Sequence, residues 1–141
     1  MGTPYSEIFN MFLSDITDDD ILDYDIEDRK ELLNDLLNKA VTRFKACKKD
    51  LKDVDNQNEE FNEDLTNEEK LIIATIMRKY WLNNKVYNLN LLKQRMTTRE
   101  WKTTSQAEHL LRLTDLNREL DKEISRMIVD YATYSYQVGD E

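Results

Sequence analysis

Apolar residues recur at spacings of three and four along most of the chain, which is the period of one face of an α-helix. The first run follows Thr3 and Pro4, a pair that favours a helix start with Thr as N-cap and Pro at the first helical position. A second run predicts a helix from about Ile26 to Cys47, with acidic residues in its first turn and basic residues in its last. The first third of the chain is therefore predicted to hold two amphipathic helices.

The pattern becomes polar and acidic between residues 48 and 65, which predicts a long loop. Thr66 and Glu69 then form a capping-box pair, in which each side chain satisfies a free backbone amide of the other residue. The helix that follows carries apolar residues on more than one face between Leu71 and Leu82. We therefore expect this third helix to be the central one, packed on two sides.

Two further helices are predicted after the asparagine pair at residues 83–84, which is expected to end the third helix. The first is short and spans residues 86–96. The second begins at another capping-box sequence, residues 105–108, and keeps its helical period to Tyr131 and beyond. At 1.5 Å per residue, about 30 residues make a helix of roughly 45 Å. A chain of 141 residues does not cover such a helix along its whole length, so part of it is expected to meet another chain.

The period changes from three and four to two at the end of the sequence. Tyr134, Tyr136 and Val138 alternate with polar residues, as they would in an extended segment. Such a tail can add as a strand to the edge of a partner's sheet. A frayed chain end gives the same pattern. We predict that residues 134–141 form an extended tail.

The positions of glycine and proline in the sequence support a helical fold. They occur only near the two ends of the sequence, as Gly2, Gly139 and Pro4. Hairpins and tight turns usually need residues with positive φ, which glycine supplies at little cost. We therefore predict an all-α fold, with residues 1–141 as a single helical domain. The domain is expected to be a small helical bundle with one long C-terminal helix. No run of about 18 apolar residues predicts a membrane span.

Charge is distributed unevenly along the sequence. The chain has 20 Lys and Arg against 29 Asp and Glu, a net charge of −9. Residues 15–35 and 50–69 each carry a net charge of −8, whereas residues 36–49 hold five basic residues and no acidic one. This arrangement suits pairing within the chain or head-to-tail contact between copies.

The sequence contains few candidates for catalysis. Its single cysteine, Cys47, and its single histidine, His109, exclude a disulfide within the chain and most zinc sites. The two residues lie on different predicted helices, where Cys47 is expected to fill the core and His109 to satisfy a local hydrogen bond. Nothing selects a catalytic pair among the 29 acidic residues. We predict that the protein is not an enzyme and uses no cofactor.

The sequence also contains the outlines of two binding sites. An EF-hand-like frame runs from Asp53 to Asp64, but Asn58 stands where the turn requires Gly, so we predict no metal. Trp101 is flanked by basic residues, a combination that can stack a nucleic-acid base and contact phosphates. The net charge of −9 opposes that interpretation, because neutralising phosphates drives such binding.

Several segments resemble the head–tail connector proteins of tailed bacteriophages, also called adaptor or neck proteins. The resemblance spans most of the chain, and its motifs are structural. The segments are Thr3 to Phe9, Phe12-Leu13, Ala40 to Phe44, Phe61 to Glu69, Met77 with Tyr80 to Leu82, Ser105 to Leu110, and Tyr131.

The resemblance implies a virion structural protein that forms a ring, typically of twelve subunits, below the portal. Such a ring extends the DNA channel and gives the tail or a stopper protein its docking surface. The implied partners are therefore further copies of this chain, the portal protein, and a tail or stopper protein. DNA would pass nearby without specific binding, and no membrane is involved. The implied location is the virion neck, after assembly in the host cytoplasm.

The resemblance also implies which residues make the contacts. The long helix and the tail are the elements expected to contact the portal and neighbouring subunits. Their candidate residues are Leu110, Leu113, Leu116, Leu120, Ile124, Met127, Tyr131, Tyr134, Tyr136 and Val138. An acidic group is expected either to line the channel or to form the seam between subunits. Its residues are Asp18, Asp19, Asp20, Asp23 and Asp25.

A different class of function stays open on the sequence alone. A small acidic helical regulator that binds a host or phage protein would have the same charge and the same lack of catalytic motifs. It would be a stable monomer or dimer with its acidic residues on one exposed face.

Overall fold

The computed structural model describes residues 2–16 and 25–137. Within them the structure is mostly helical, which confirms the predicted all-α class. The helices are α1 (Tyr5–Asp15), α2 (Ile26–Arg43), α3 (Asn67–Gln94), α4 (Thr98–Lys102) and α5 (Ser105–Gln137). The strands are β1 (Thr3–Pro4), β2 (Val54–Asp55) and β3 (Glu60–Phe61).

The three strands form a small antiparallel sheet in the order β1–β3–β2. Thr3 belongs to this sheet and is not the helix N-cap that the sequence predicts, because its hydroxyl bonds to the backbone of the segment that follows β3. The hydroxyl donates a 3.0 Å hydrogen bond to the carbonyl of Glu63 and accepts one of 2.8 Å from the amide of Leu65. Helix α1 begins at Tyr5, with Pro4 as its N-cap.

The hairpin between β2 and β3 forms without glycine. Glu59 takes the positive-φ position, with φ of 54°. Asp55 stabilises the turn, because its carboxylate accepts hydrogen bonds from the amides of Gln57 and Asn58 and from the Asn58 side chain. Scarcity of glycine therefore does not exclude a short hairpin where an aspartate closes the turn.

Two helix ends differ from the sequence-based predictions. Helix α2 ends at Arg43, four residues before Cys47, because Phe44 leaves the helical conformation at φ −82° and ψ 65°. Helix α3 continues through the asparagine pair to Gln94, so residues 86–94 are not a separate helix. Asn83 uses its side chain in a contact with Asn117 of α5 and leaves the helix backbone intact.

Helix α3 is central, as its pattern predicted. Residues 72–77 are all buried in succession, because α1, α2 and α5 each pack against it. Ile8 and Phe12 contribute from α1 and Ile124 from α5, and these side chains join one apolar core. Thr66 forms the predicted capping box with Glu69 at the start of the helix.

Helix α5 has 33 residues, which makes it about 50 Å long. It continues through Tyr134 and Tyr136 to Gln137, so the predicted extended conformation is wrong for residues 134–137. No glycine or proline precedes Gly139 in this region, and nothing in the sequence therefore stops the helix earlier. Val138 and the rest of the predicted tail lie outside the described residues.

Candidate functional site

Residues 82–118, here called the arm, form a helical hairpin from the end of α3, α4 and the start of α5. The N-terminal half of α3 packs within the main core, and Leu82 is the last buried residue of that helix. The arm buries a few side chains of its own, including Trp101 and Leu110. Its tip is therefore built from two helix ends and a short connecting helix, and most of its surface is exposed.

Large apolar side chains are exposed on the arm. Five of the eight large exposed hydrophobic residues among the described ones lie there: Tyr87, Leu91, Leu92, Leu111 and Leu116. Single exposed apolar residues are ordinary on a protein surface, but a concentration in one element indicates an interaction site. The arm is therefore the strongest candidate for a partner surface.

The arm is also basic, in contrast to the rest of the chain. Residues 82–118 hold seven Lys and Arg against three Asp and Glu, a net charge of +4. The remaining residues hold 13 basic and 26 acidic side chains, a net charge of −13. The protein is thus strongly polarised between the arm and everything else.

Residues 50–68, here called the acidic ribbon, surround the β2–β3 hairpin at the opposite end of α3. They hold eight acidic residues and one basic residue, a net charge of −7. Hydrogen bonds hold Asp53 to the side chain of Asn62 and Asp55 to the turn, and Glu59 pairs with Lys30. The other carboxylates, such as those of Glu60 and Asp64, are partly or fully exposed. The ribbon is therefore an exposed negative surface on a fixed backbone.

Glu69 is the centre of a buried polar cluster beneath the ribbon. Only 2% of its surface is exposed, and its carboxylate accepts hydrogen bonds from the hydroxyl of Tyr131 at 2.6 Å and the amide of Thr66 at 2.8 Å. The ammonium of Lys49 lies 3.3 Å from the carboxylate, and the thiol of Cys47 donates to it at 3.6 Å. This buried charge is therefore fully hydrogen-bonded, as stability requires.

The electrostatics of this cluster are those of a structural contact. Burial alone would raise the pKa of Glu69, but the hydrogen bonds from Tyr131, Thr66 and Lys49 outweigh it and lower the pKa. Burial, with the nearby charge of Glu69, raises the pKa of Cys47 to about 11. A thiol with that pKa is almost entirely protonated at neutral pH and is a weak nucleophile.

A second polar cluster joins α2, α3 and α5 nearer to the arm. Arg43 donates a 2.7 Å hydrogen bond to Asp121, and this contact, followed by the charge of Lys79, lowers the pKa of the Asp121 carboxyl. Lys79 also donates a 3.1 Å hydrogen bond to the side-chain oxygen of Asn117, and the side-chain nitrogen of Asn117 donates to the side-chain oxygen of Asn83. These contacts fix the register of the long helices at the base of the arm.

The structure divides the predicted contact residues of α5 into buried and accessible ones. Leu110, Leu120, Ile124 and Tyr131 are buried within the chain itself, so their side chains are not free to contact a partner. Leu113 and Met127 are half-buried, whereas Leu116 is exposed. The side chains of Tyr134 and Tyr136 are not described, and Val138 lies outside the described residues.

One residue of the predicted acidic group, Asp25, lies in the described part of the chain. Asp25 caps α2, because its carboxylate accepts a 2.8 Å hydrogen bond from the amide of Asp28. Asp18, Asp19, Asp20 and Asp23 lie outside the described residues. Tyr87 and Leu91 are not among the contact residues that the sequence predicts, because the asparagine pair at residues 83–84 favours a helix end there.

Neither alternative binding site is assembled in the described part of the chain. No group of three or more His, Cys, Asp or Glu residues there could hold a metal ion, and Asp53 and Asp55 instead bond to the hairpin. Trp101 is only 6% exposed, so its ring is not available to stack a base. Among the same residues no helix is both long and apolar enough to cross a membrane.

These features define a helical protein whose buried polar groups hold its elements together and whose exposed features are two surfaces of opposite charge. The chain belongs to the YomZ prophage protein family, whose family model matches residues 1–133. The phage origin that the sequence indicated is therefore supported at the level of a prophage protein. Searches of curated proteins and of solved structures found no match.

Proposed function

We propose that this chain is a non-enzymatic structural protein of the phage particle, a head–tail connector subunit that forms a ring below the portal. In this proposal the ring extends the DNA channel towards the tail, and twelve copies match the usual symmetry of the class that the sequence resembles. The portal protein lies on one side of the ring and a tail or stopper protein on the other. The site of action is the virion neck, reached after assembly in the host cytoplasm.

The observation that supports this proposal is the exposed apolar surface of the arm, in a protein that belongs to a prophage family. Leu91 and Leu111 are exposed on a hairpin that extends beyond the main core. Full burial of an exposed leucine is worth about 1.5–3 kcal/mol. A partner that covers Leu111, which is 67% exposed, gains most of that amount, and one that covers Leu91, which is 37% exposed, gains a smaller part. Assembly subunits have such surfaces on elements that reach a neighbour.

Two further features support an assembly role. The hydrogen bonds of buried Glu69 and of exposed Asp121 join three separate parts of the chain, which keeps the arm at a fixed position relative to the core. The negative net charge outside the arm would repel DNA, which helps a channel protein to let DNA slide without sticking.

Sedimentation of a lysate in which the prophage has been induced tests the connector role. The chain would be located across the gradient by mass spectrometry. We expect it to co-sediment with capsid-sized particles. Finding it only near its monomer mass of 16.9 kDa would contradict the structural role and favour the acidic regulator.

Complementation adds a test at residue level. In a prophage that lacks this gene, the variant Leu111→Asp is expected to yield particles with heads and tails that fail to join. The matched control is Val129→Asp, because Val129 is similarly exposed on α5 but lies outside the arm. Full assembly with Leu111→Asp would show that the arm is not needed for joining.

A further inference from the structure

We infer that the arm of one copy docks on the acidic ribbon of the next copy, so that the protein self-associates head to tail. This contact specifies which two surfaces meet in the proposed ring. Only its biological setting rests on the connector proposal, because the contact itself can be tested with the purified chain alone.

Complementary charge is the first argument. The arm carries +4 and the ribbon −7. Basic residues of the arm such as Arg95, Arg99 and Lys102 are exposed, and so are Asp64 and Glu68 of the ribbon. Opposite potentials of this kind steer association and fix its register. A contact between two arms or between two ribbons would place like charges together.

Distance along α3 is the second argument. The ribbon reaches the first turn of α3, which begins at Asn67, and the arm starts 15 residues after Asn67 along the same helix. At 1.5 Å per residue the arm is therefore about 22 Å from the ribbon at its base and about 40 Å at the end of α3. A continuous helix holds the two surfaces apart, so the arm cannot reach the ribbon of its own chain. The contact must be between copies, and because the two surfaces differ it is heterologous, as ring formation requires.

A groove beside the ribbon can receive the apolar residues of the arm. It has a volume of about 850 Å³, and the half-buried apolar residues of its lining include Tyr5, Val41 and Val54. The lining also includes Lys45, Lys49 and Lys52 and one acidic residue, Asp50. Because these lysines repel the basic residues of the arm, docking places the leucines of the arm over the groove and its basic residues over the carboxylates of the ribbon.

Nucleic acid is a weaker candidate for the arm. The ring of Trp101 is buried, and the chain as a whole carries −9. Phosphate neutralisation would have to overcome the repulsion of the remaining surface. A second copy offers the arm both a negative surface and an apolar groove.

Charge reversal in the purified full-length chain tests the contact. The arm variant is Arg95→Glu, Arg99→Glu and Lys102→Glu, and the ribbon variant is Glu60→Lys, Glu63→Lys and Asp64→Lys. The control variant is Lys39→Glu, Lys122→Glu and Arg126→Glu, three exposed positions outside both surfaces that give the same change in net charge as the arm variant. Circular dichroism would verify that each variant keeps its helix content.

Sedimentation velocity at low and high salt is the measurement. At about 50 mM salt we expect the wild type and the control variant to sediment above 16.9 kDa, and at about 500 mM salt as monomers, because salt screens the contact. The association constant of either reversed variant alone should fall by more than about tenfold. A mixture of the two should form heterodimers, because the ribbon of the first and the arm of the second are both intact.

Three results would overturn the inference. The first is a wild type that stays monomeric in low salt, and the second is a control variant as defective as the arm variant. The third is binding of a labelled DNA duplex that depends on the arm, without self-association, which would assign the arm to nucleic acid. Presence in phage particles together with a monomeric purified chain contradicts this contact alone. Self-association without presence in particles contradicts the connector role alone.

Discussion

The hydroxyl of Tyr131 donates a 2.6 Å hydrogen bond to Oε2 of Glu69 and accepts one of 2.9 Å from the amide of Lys48. One side chain of α5 thereby joins the first turn of α3 to the segment that follows α2. The ring of Tyr131 also packs edge-on against Phe44, with 5.2 Å between centroids. The apolar and polar parts of the tyrosine thus stabilise the same junction.

Replacing Tyr131 with Phe tests the polar part of that junction. The variant keeps the ring but leaves a carboxylate oxygen of Glu69 and the amide of Lys48 without this partner. Because hydrogen bonds to a charged group contribute about 1.5–3 kcal/mol, we expect the free energy of unfolding to fall by about that amount. Urea denaturation followed by circular dichroism measures the change.

Tyr87→Phe is the matched control, because Tyr87 is 63% exposed on the arm. The same loss of a hydroxyl there should change the free energy of unfolding by no more than about 0.5 kcal/mol. Equal effects of the two substitutions would show that the Tyr131 hydroxyl has no special role.

The lowered pKa of Glu69 predicts how stability depends on pH. The ordinary pKa is 4.5, and hydrogen bonds lower it in the folded chain. The folded state therefore favours the ionised form, so this stabilisation is present above pH 4.5 and is lost as the pH falls through the folded-state pKa. We expect Glu69→Gln to be clearly less stable than the wild type at pH 7. The difference should shrink in acid, where protonation leaves the wild-type residue uncharged as well.

Urea denaturation at several pH values between 7 and 3 measures this difference. Glu123→Gln, at an exposed position in the middle of α5, is the control and should differ little from the wild type throughout. A difference between Glu69→Gln and the wild type that stays constant with pH would contradict the assigned role of the Glu69 charge.

The thiol of Cys47 is expected to react slowly in the folded protein. Its pKa of about 11 lies two units above the ordinary 9.0, so at pH 8 the thiolate fraction is about a hundredfold smaller than that of a free cysteine. A thiolate of higher pKa is also the stronger nucleophile, which offsets up to about tenfold of that factor, so we expect modification by a disulfide reagent at pH 8 to be at least about tenfold slower in the native chain than in urea. Similar rates in both conditions would mean that the burial and the nearby charge of Glu69 do not act on this thiol.

The regular helices were predictable because their information is local. The periodic apolar positions gave α2, α3 and α5, and the Thr66–Glu69 capping box placed the start of α3 correctly. In each case the residues that fix the element lie within a turn or two of each other, so the pattern can be found in one sequence.

The errors arise where distant residues decide the local structure. Thr3 has the chemistry of an N-cap, but Glu63 and Leu65 compete for its hydroxyl. Asn83 has the chemistry of a helix end, but Asn117 of α5 occupies its side chain. Neither competitor can be identified without the tertiary structure.

The candidate surface was predictable only in part for the same reason. An unbroken α3 was needed to separate the arm from the acidic ribbon. A helix break at residues 83–84, as the sequence predicts, would place Tyr87 and Leu91 on a short fourth helix whose direction relative to α3 is not defined. The charge polarity could be counted from the sequence, whereas the distance between the charges could not.

Leu120 and Leu111 lie on the same helix and differ in what they contact. Leu120 is 2% exposed, whereas Leu111 is 67% exposed on the arm. Leu120→Ala should lower the free energy of unfolding by about 2–5 kcal/mol, because it leaves a cavity, and Leu111→Ala should change it by no more than about 0.5 kcal/mol.

Denaturation at about 500 mM salt measures the stability of the separate chains, and sedimentation at about 50 mM salt measures their association. At about 50 mM salt we expect Leu111→Ala to weaken self-association, although the variant is as stable as the wild type at about 500 mM salt. Loss of stability with Leu111→Ala at high salt would mean that its side chain belongs to the fold, and the arm would then lose part of its apolar docking surface.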